Sequence, residues 1–286
     1  MTERPEAISG IFKKNLLKRC TVKKLCLLIF MGVSLVFYAA SHEEHMIDDC
    51  YNCYITKNNS VYFVDDASHP YKIEIADYIS FTVLSQFYAK DKNNIYFFED
   101  ILENVDKDTF SALSGFYAKD DKHIYFGDKI FQNVGFDSFK ALNIFYAKDK
   151  NSVYIYNKKI KGAAPESFHT LSGLYAKDAN HVYFEGTIID KTDAPSFETL
   201  DFSYAKDKKN VYYLKTIIKN SDIKTFRVLN NGYAADKNSL YYDGQAVKGS
   251  DPDTFEVLDD NFVRDQNHIY MWGNIADDDY EITNKK

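Results

Sequence analysis

Glycine, proline and tryptophan are scarce in this 286-residue chain, with 12 Gly, 5 Pro and a single Trp. That scarcity excludes a collagen-like chain and a Gly/Pro-rich linker. Beyond residue 41 there is no block of Lys or Arg. Removing the seven basic and two acidic residues of 1–41 from the totals of 35 and 42 leaves 28 against 40, a net charge of −12. Nucleic acid and anionic lipid are therefore disfavoured as partners of this part, because affinity for either rests on basic patches. No GxSxG, HExxH, P-loop or dinucleotide fingerprint occurs, and the seven histidines are scattered. No catalytic residue, cofactor site or metal site is assigned, and enzymatic activity is not expected.

The first 41 residues differ in kind from the rest. Residues 1–24 form a basic leader that carries Arg4, Lys13, Lys14, Lys18, Arg19, Lys23 and Lys24. The uncharged run LCLLIFMGVSLVFYAA follows over residues 25–40, short against the roughly 20 residues that span a bilayer. It ends in Ala39, Ala40 and Ser41, a small-residue pattern that permits cleavage after Ser41. The basic flank places the N-terminus in the cytoplasm and the remainder outside it. Two outcomes stay open for residues 25–41. Either they are a cleaved signal peptide that releases a secreted or periplasmic protein, or they anchor it in the inner membrane through residues 25–40.

The four cysteines divide at that segment. Cys20 and Cys26 precede it or lie within it. Cys50 and Cys53 form a CxxC motif in the exported linker 42–53, where an oxidising compartment favours a local disulfide. A thioredoxin-like role needs the motif at a helix N-terminus, and DDCYNCYITK leads into a strand pattern instead. Zinc held by His42, His45, Cys50 and Cys53 is a weaker alternative among acidic neighbours.

Tyrosine and phenylalanine, 23 and 22 residues, are the abundant types, and their excess has a periodic cause. Asp91, Asp120, Asp149, Asp178, Asp207, Asp236 and Asp265 recur at a constant step of 29. In the same register run Phe81, Phe110, Phe139, Phe168, Phe197, Phe226 and Phe255, and also Leu84, Leu113, Leu142, Leu171, Leu200, Leu229 and Leu258. A further column is Tyr96, Tyr125, Tyr154, Tyr183, Tyr212, Tyr241 and Tyr270. Tyr88, Tyr117, Tyr146, Tyr175, Tyr204 and Tyr233 form another, which ends in Phe262. An earlier copy, YITKNNSVYF from Tyr54, stands a five-residue insertion out of step, placed around ASHPYK.

Each unit reads as a small physical module. The Asp begins a tight turn between two apolar strands, because its side chain accepts backbone N–H bonds and the Asn residues beside it tolerate left-handed backbone. A third strand centres on Leu102, Phe131, Ile160, Ile189, Ile218 and Val247. DPDTFEVL from Asp251, DKDTFSAL from Asp106 and DIKTFRVL from Asp222 carry capping signals, so a helix of one or two turns is expected to close each unit. Gly135 and Ala164 replace the cap Asp in two copies, whose helices should be weaker. A lone unit buries too little apolar surface to offset the ordering of its backbone, so units must stack. The fold class expected is mainly β with short helices, tandem repeats stacked as a solenoid over 54–275 and followed by the tail 276–286. A closed toroid or propeller-like ring is the alternative. The Asp column is read as turn-building rather than calcium-binding, since the later carboxylate and Gly of calcium loops are missing. The preceding lysines, Lys90, Lys119, Lys148, Lys177 and Lys206, are read as solvated strand positions.

The motifs DKNNIYF, DKNSVYI, DKKNVYY and DKNSLYY resemble the DKNYY repeat family over about Tyr54 to Trp272. The resemblance implies an exported or envelope-associated bacterial protein with no established reaction and no catalytic residues to transfer. The reading is a repeat scaffold that binds an envelope protein or a glycan. The alternative is an exported thiol-redox or metal-binding protein using Cys50 and Cys53.

Overall fold

A computed structural model describes residues 53–64, 70–229, 232–258 and 262–276. The leader, the apolar run 25–40, Cys50 and the tail from residue 277 lie outside the described residues. Among the described residues no helix is long and apolar enough to cross a membrane.

The described chain is almost entirely antiparallel sheet. An N-terminal sheet joins strands Cys53–Lys57, Ser60–Val64 and Pro70–Lys72 in sequence order. The insertion falls between its last two strands: Ile73 N–H donates to Val61 O at 2.8 Å, as Leu102 N–H donates to Ile95 O at 2.8 Å one copy later. The first repeat then forms a four-stranded meander of Thr82–Val83, Tyr88–Lys90, Ile95–Phe97 and Asp100–Ile101. The pattern recurs, for example, as Lys140–Ala141, Tyr146–Lys148, Val153–Ile155 and Lys158–Lys159, and as Arg227–Val228, Tyr233–Ala235, Leu240–Tyr242 and Gln245–Ala246. The central hairpin keeps one register, with Tyr88 opposite Phe97, Ala89 opposite Tyr96 and Lys90 opposite Ile95. Each sheet has two outer strands, and none closes into a barrel.

The chain divides into two compact units, one containing described residues to 170 together with 185–187, the other containing 171–184 and 188–276. Within each, successive copies share small cores. Tyr117, Ile124 and Phe131 of one copy pack with Ala147 and Tyr154 of the next. Tyr204, Val211 and Ile218 pack in the same way with Ala234 and Tyr241. The alanine facing each Tyr across the hairpin is fully buried, as at Ala89, Ala118 and Ala147. A small residue there leaves room for the ring opposite.

The closing helix does not form. Its place is taken by a turn followed by a two-residue strand, such as Ser111–Ala112 or Glu256–Val257, which becomes the first strand of the meander. Among the described residues the only helical turns are the three-residue 3₁₀ segments Phe136–Ser138 and Ala194–Ser196. The capping chemistry is real but starts one turn: Asp222 Oδ1 accepts from Thr225 N at 3.0 Å and from its hydroxyl at 2.8 Å. The chain must then extend so that Arg227 pairs with Ala235. One of the two 3₁₀ turns follows Gly135, a position expected to give a weaker helix. Its backbone N–H is held by the Asp149 carboxylate at 2.7 Å, so no cap side chain is needed. Four strands fit into so short a repeat because the outer two, such as Thr82–Val83 and Asp100–Ile101, are only two residues long each.

Tight packing fixes some turn residues. Gly244 has φ +75°, and a Cβ there would lie 2.4 Å from Tyr213 Cβ, whereas Gly162 at φ +81° faces open space. Gly162→Ala is expected to cost only the left-handed penalty of about 1–2 kcal/mol. Gly244→Ala adds overpacking of about 1–3 kcal/mol. Urea-unfolding midpoints of the two variants check this ordering, and equal losses would refute it.

Candidate functional site

The most regular chemical feature is a buried carboxylate in each of the seven copies that follow the N-terminal sheet, whose own copy has Lys57 in that place. Asp91, Asp120, Asp149, Asp178, Asp207, Asp236 and Asp265 are between 0% and 6% exposed. In the first copy, Asp91 Oδ1 accepts from the N–H groups of Asn93 and Asn94, both at 2.7 Å. Its Oδ2 accepts from the Tyr96 hydroxyl at 2.7 Å and from Asp77 N–H at 2.8 Å. Asp236 holds the corresponding four donors: Asn238 N–H, Ser239 N–H, the Tyr241 hydroxyl and Asp222 N–H, at 2.6–2.9 Å. Asp120, Asp207 and Asp265 repeat the set at 2.6–3.2 Å. Asp149 accepts from Asn151 N–H, the Tyr154 hydroxyl and Gly135 N–H, each at 2.7 Å. Asp178 accepts from Asn180 N–H, His181 N–H and the Tyr183 hydroxyl at 2.8–2.9 Å.

These carboxylates therefore tie three places together: the hairpin turn, the strand after it, and the turn that precedes the sheet, where Asp77 serves Asp91 and Asp222 serves Asp236. Burial alone would raise the Asp91 carboxyl, but the donors of Asp77, Tyr96, Asn93 and Asn94 outweigh it and hold it below its usual range. Asp120, Asp149, Asp207 and Asp265 are lowered by the same balance. The paired phenols move the other way: burial, then the adjacent Asp149, pushes Tyr154 up to about 12.

Both oxygens of such a carboxylate face hydrogen-bond donors, an environment suited to an anion and hostile to a calcium ion. No group of three His, Cys, Asp or Glu side chains able to hold a metal occurs among the described residues. The histidines that follow these aspartates contribute through their backbone. His123, His181 and His268 donate their N–H groups at 2.6–2.8 Å, the position that Asn94 and Ser239 fill elsewhere.

The other columns are placed as follows. The seven tyrosines from Tyr96 to Tyr270 are all buried. Phe110, Phe168, Phe197 and Phe226 are buried, while Phe81, Phe139, Phe255 and all seven leucines from Leu84 to Leu258 are half-buried. The Tyr88 column joins neighbouring copies: Tyr88 Oη lies 2.7 Å from Phe116 O and 2.9 Å from Gly127 O. Tyr204 donates to Gly232 O at 2.8 Å and accepts from Gly244 N–H at 3.0 Å. The lysine column is more than a solvated row. Lys148 Nζ donates to Pro165 O and Phe168 O at 2.7 and 3.1 Å, and Lys177 Nζ donates to Ala194 O and Phe197 O, both at 3.0 Å.

One column escapes a reading based on apolar residues. The hydroxyls of Ser80, Thr109, Ser138, Ser196, Thr225 and Thr254 accept from the backbone N–H groups of Lys92, Asp121, Lys150, Lys208, Lys237 and Gln266, at 3.0–3.2 Å. The constant step would have exposed it, since every copy carries Ser or Thr at this position. Cys53 opens the first strand and is disulfide-bonded, and the chain's other cysteines lie outside the described residues.

The DKNYY family model matches residues 54–116, 117–245 and 233–284. No curated protein and no solved structure matches the chain.

Two expectations follow from the carboxylate geometry. Asp236→Asn turns one acceptor into a donor facing donors, and is expected to destabilise by about 2–4 kcal/mol, against about 1–2 kcal/mol for Tyr241→Phe. Chemical denaturation of the two variants tests the order, and a neutral Asp236→Asn would contradict it. Acid should act on the aspartates of the preceding turns. Asp77, Asp193 and Asp222 are held at about 2 by Lys92, Lys208 and Lys237, with Ser80, Ser196 and Thr225 adding to the shift. Since folded values lie below unfolded ones, the stability is complete above about pH 4 and drains away towards about pH 2 and below. Thermal unfolding from neutral pH down to that range should show the fall, and a flat profile would refute it.

Proposed function

The chain belongs to the DKNYY family, and we propose that it is a non-enzymatic scaffold of the cell envelope. In this reading it is exported or membrane-anchored and binds a protein or glycan through its exposed repeat positions. The observation that supports this is a division of labour between columns. Side chains repeated in every copy are spent on one another, as the saturated carboxylates show most plainly. The exposed first residue of the first strand instead changes along the chain: Thr82, Ser111, Lys140, His169, Glu198, Arg227 and Glu256. A constant frame carrying a variable exposed row is the arrangement by which repeat proteins recognise partners.

Binding of the purified protein to isolated envelopes tests the proposal. Lys140→Ser combined with Arg227→Ser should weaken co-sedimentation at least about tenfold while the unfolding midpoint moves little, because exposed charges contribute about 0–1 kcal/mol. Wild-type protein that stays wholly in the supernatant would count against a binding role.

The thiol-redox alternative rests on Cys53 being disulfide-bonded. Its position at the start of a strand rather than of a helix favours a structural clamp, because it lacks the helix N-terminus that activates redox cysteines. Insulin reduction by the wild type, lost in the Cys50→Ser, Cys53→Ser variant, would restore the redox reading.

A further inference from the structure

We propose that the building block of the first five copies is a pair of successive copies, in which two kinds of loop alternate. Two features carry this, and neither belongs to the columns already described.

The first is the loop between the first and second strands. In the first, third and fifth copies it reads LSQF, LNIF and LDFS. There the N–H of Ser85, Asn143 or Asp201 donates to the carbonyl of Tyr88, Tyr146 or Tyr204, at 3.0–3.2 Å. The side-chain oxygen of the same residue accepts from two nearby amides: Ser85 from Phe87 and Tyr88, Asn143 from Phe145 and Tyr146, and Asp201 from Ser203 and Tyr204. In the second and fourth copies the loop reads LSGF and LSGL. Tyr117 and Tyr175 N–H instead bond Ser114 O and Ser172 O at 3.1 Å, and Gly115 and Gly173 take φ +58° and +61°.

The second feature is the turn between the third and fourth strands. Its first residue has positive φ throughout. It is bulky in odd copies, where it is Phe98, Tyr156, Leu214 or Trp272, and Gly127, Glu185 or Asp243 in even ones.

Steric fit explains why the first alternation is required. A Cβ on Gly115 would lie 2.4 Å from Ile144 Cα, and one on Gly173 would lie 3.0 Å from Phe202 O. The loop at Gly115 thus accepts the backbone of the odd loop that follows it only because it has no side chain, and a side chain at Gly173 would crowd the Phe202 backbone. Two odd loops placed in succession would collide.

Internal deletions in the full chain test this. Removing residues 88–116, one copy, puts the Gln86 loop next to the Ile144 loop and so sets two odd loops side by side, while the strand turn at Gly127 keeps its even form. Removing 88–145, two copies, keeps the alternation. A simple stack of equivalent repeats loses stability with every copy removed. Pairing predicts the reverse order: the two-copy deletion melts above the one-copy deletion. It also predicts that Gln86→Gly in the one-copy deletion recovers part of the lost melting temperature, by giving its loop the even form. A melting temperature that falls steadily with the number of copies removed, equal losses for both deletions, or no recovery with Gln86→Gly would each overturn the proposal.

Discussion

A carboxylate taken out of water must be met by donors, and this fold is organised around meeting that demand once in every copy. At Asp91, Asp120, Asp149, Asp207, Asp236 and Asp265 the turn amides and the next tyrosine converge from the same copy, and a distant amide of the preceding turn joins them. Those donors come from separate segments, which the Ser/Thr hydroxyls and the Asp77–Lys92 ion pair also tie together at the surface. The carboxylate therefore sets the angle between hairpin and preceding turn, and with it the direction in which the chain enters each sheet. Short outer strands suffice because the polar knot, rather than a long ladder, closes the unit.

Stacking then uses a second polar device in the same register. The Tyr88 column places a phenol against backbone groups of the following copy, as Tyr88 meets Phe116 O and Gly127 O and Tyr204 meets Gly232 O and Gly244 N–H. In the last copy of the sequence this column holds Phe262, which keeps the ring and drops the hydroxyl. The lysines of the third and fourth copies serve the same end from the last residue of an inner strand, reaching carbonyls of the next turn. Apolar packing supplies the bulk of the cohesion, and these polar contacts hold successive copies in register.

Much of this is legible in the residues themselves. The constant step, the Asp turn, the central hairpin and the buried Tyr96 column follow from period and residue chemistry. The third strand follows too, although it ends one residue before its apolar column: Asp100–Ile101 pairs, and Leu102 turns inward. The closing helix fails for a physical reason. Asp, Pro and Phe–Leu spacing describe a helix start equally well as a single capped turn, and pairing such as Arg227 with Ala235 decides between them. The four-donor character of the carboxylate is out of reach of the sequence, because its fourth donor, a backbone amide of the preceding turn such as that of Asp77 or Gly135, has no side-chain signature. The Ser/Thr column is within reach, because its step is constant, but it is polar and shared between two residue types and so stands apart from the apolar pattern.

The central claim is that each buried carboxylate holds its donors in place for as long as the protein is folded. Amide hydrogen exchange at neutral pH tests it most directly around Asp236, whose carboxylate accepts from the N–H groups of Asp222, Asn238 and Ser239. Amides held this way should exchange only through the largest unfolding event, at the rate of core strand amides such as those of Leu240–Tyr242. Exchange at the rate of exposed turns would show that the turn opens while the sheet stays folded, and would contradict the claim.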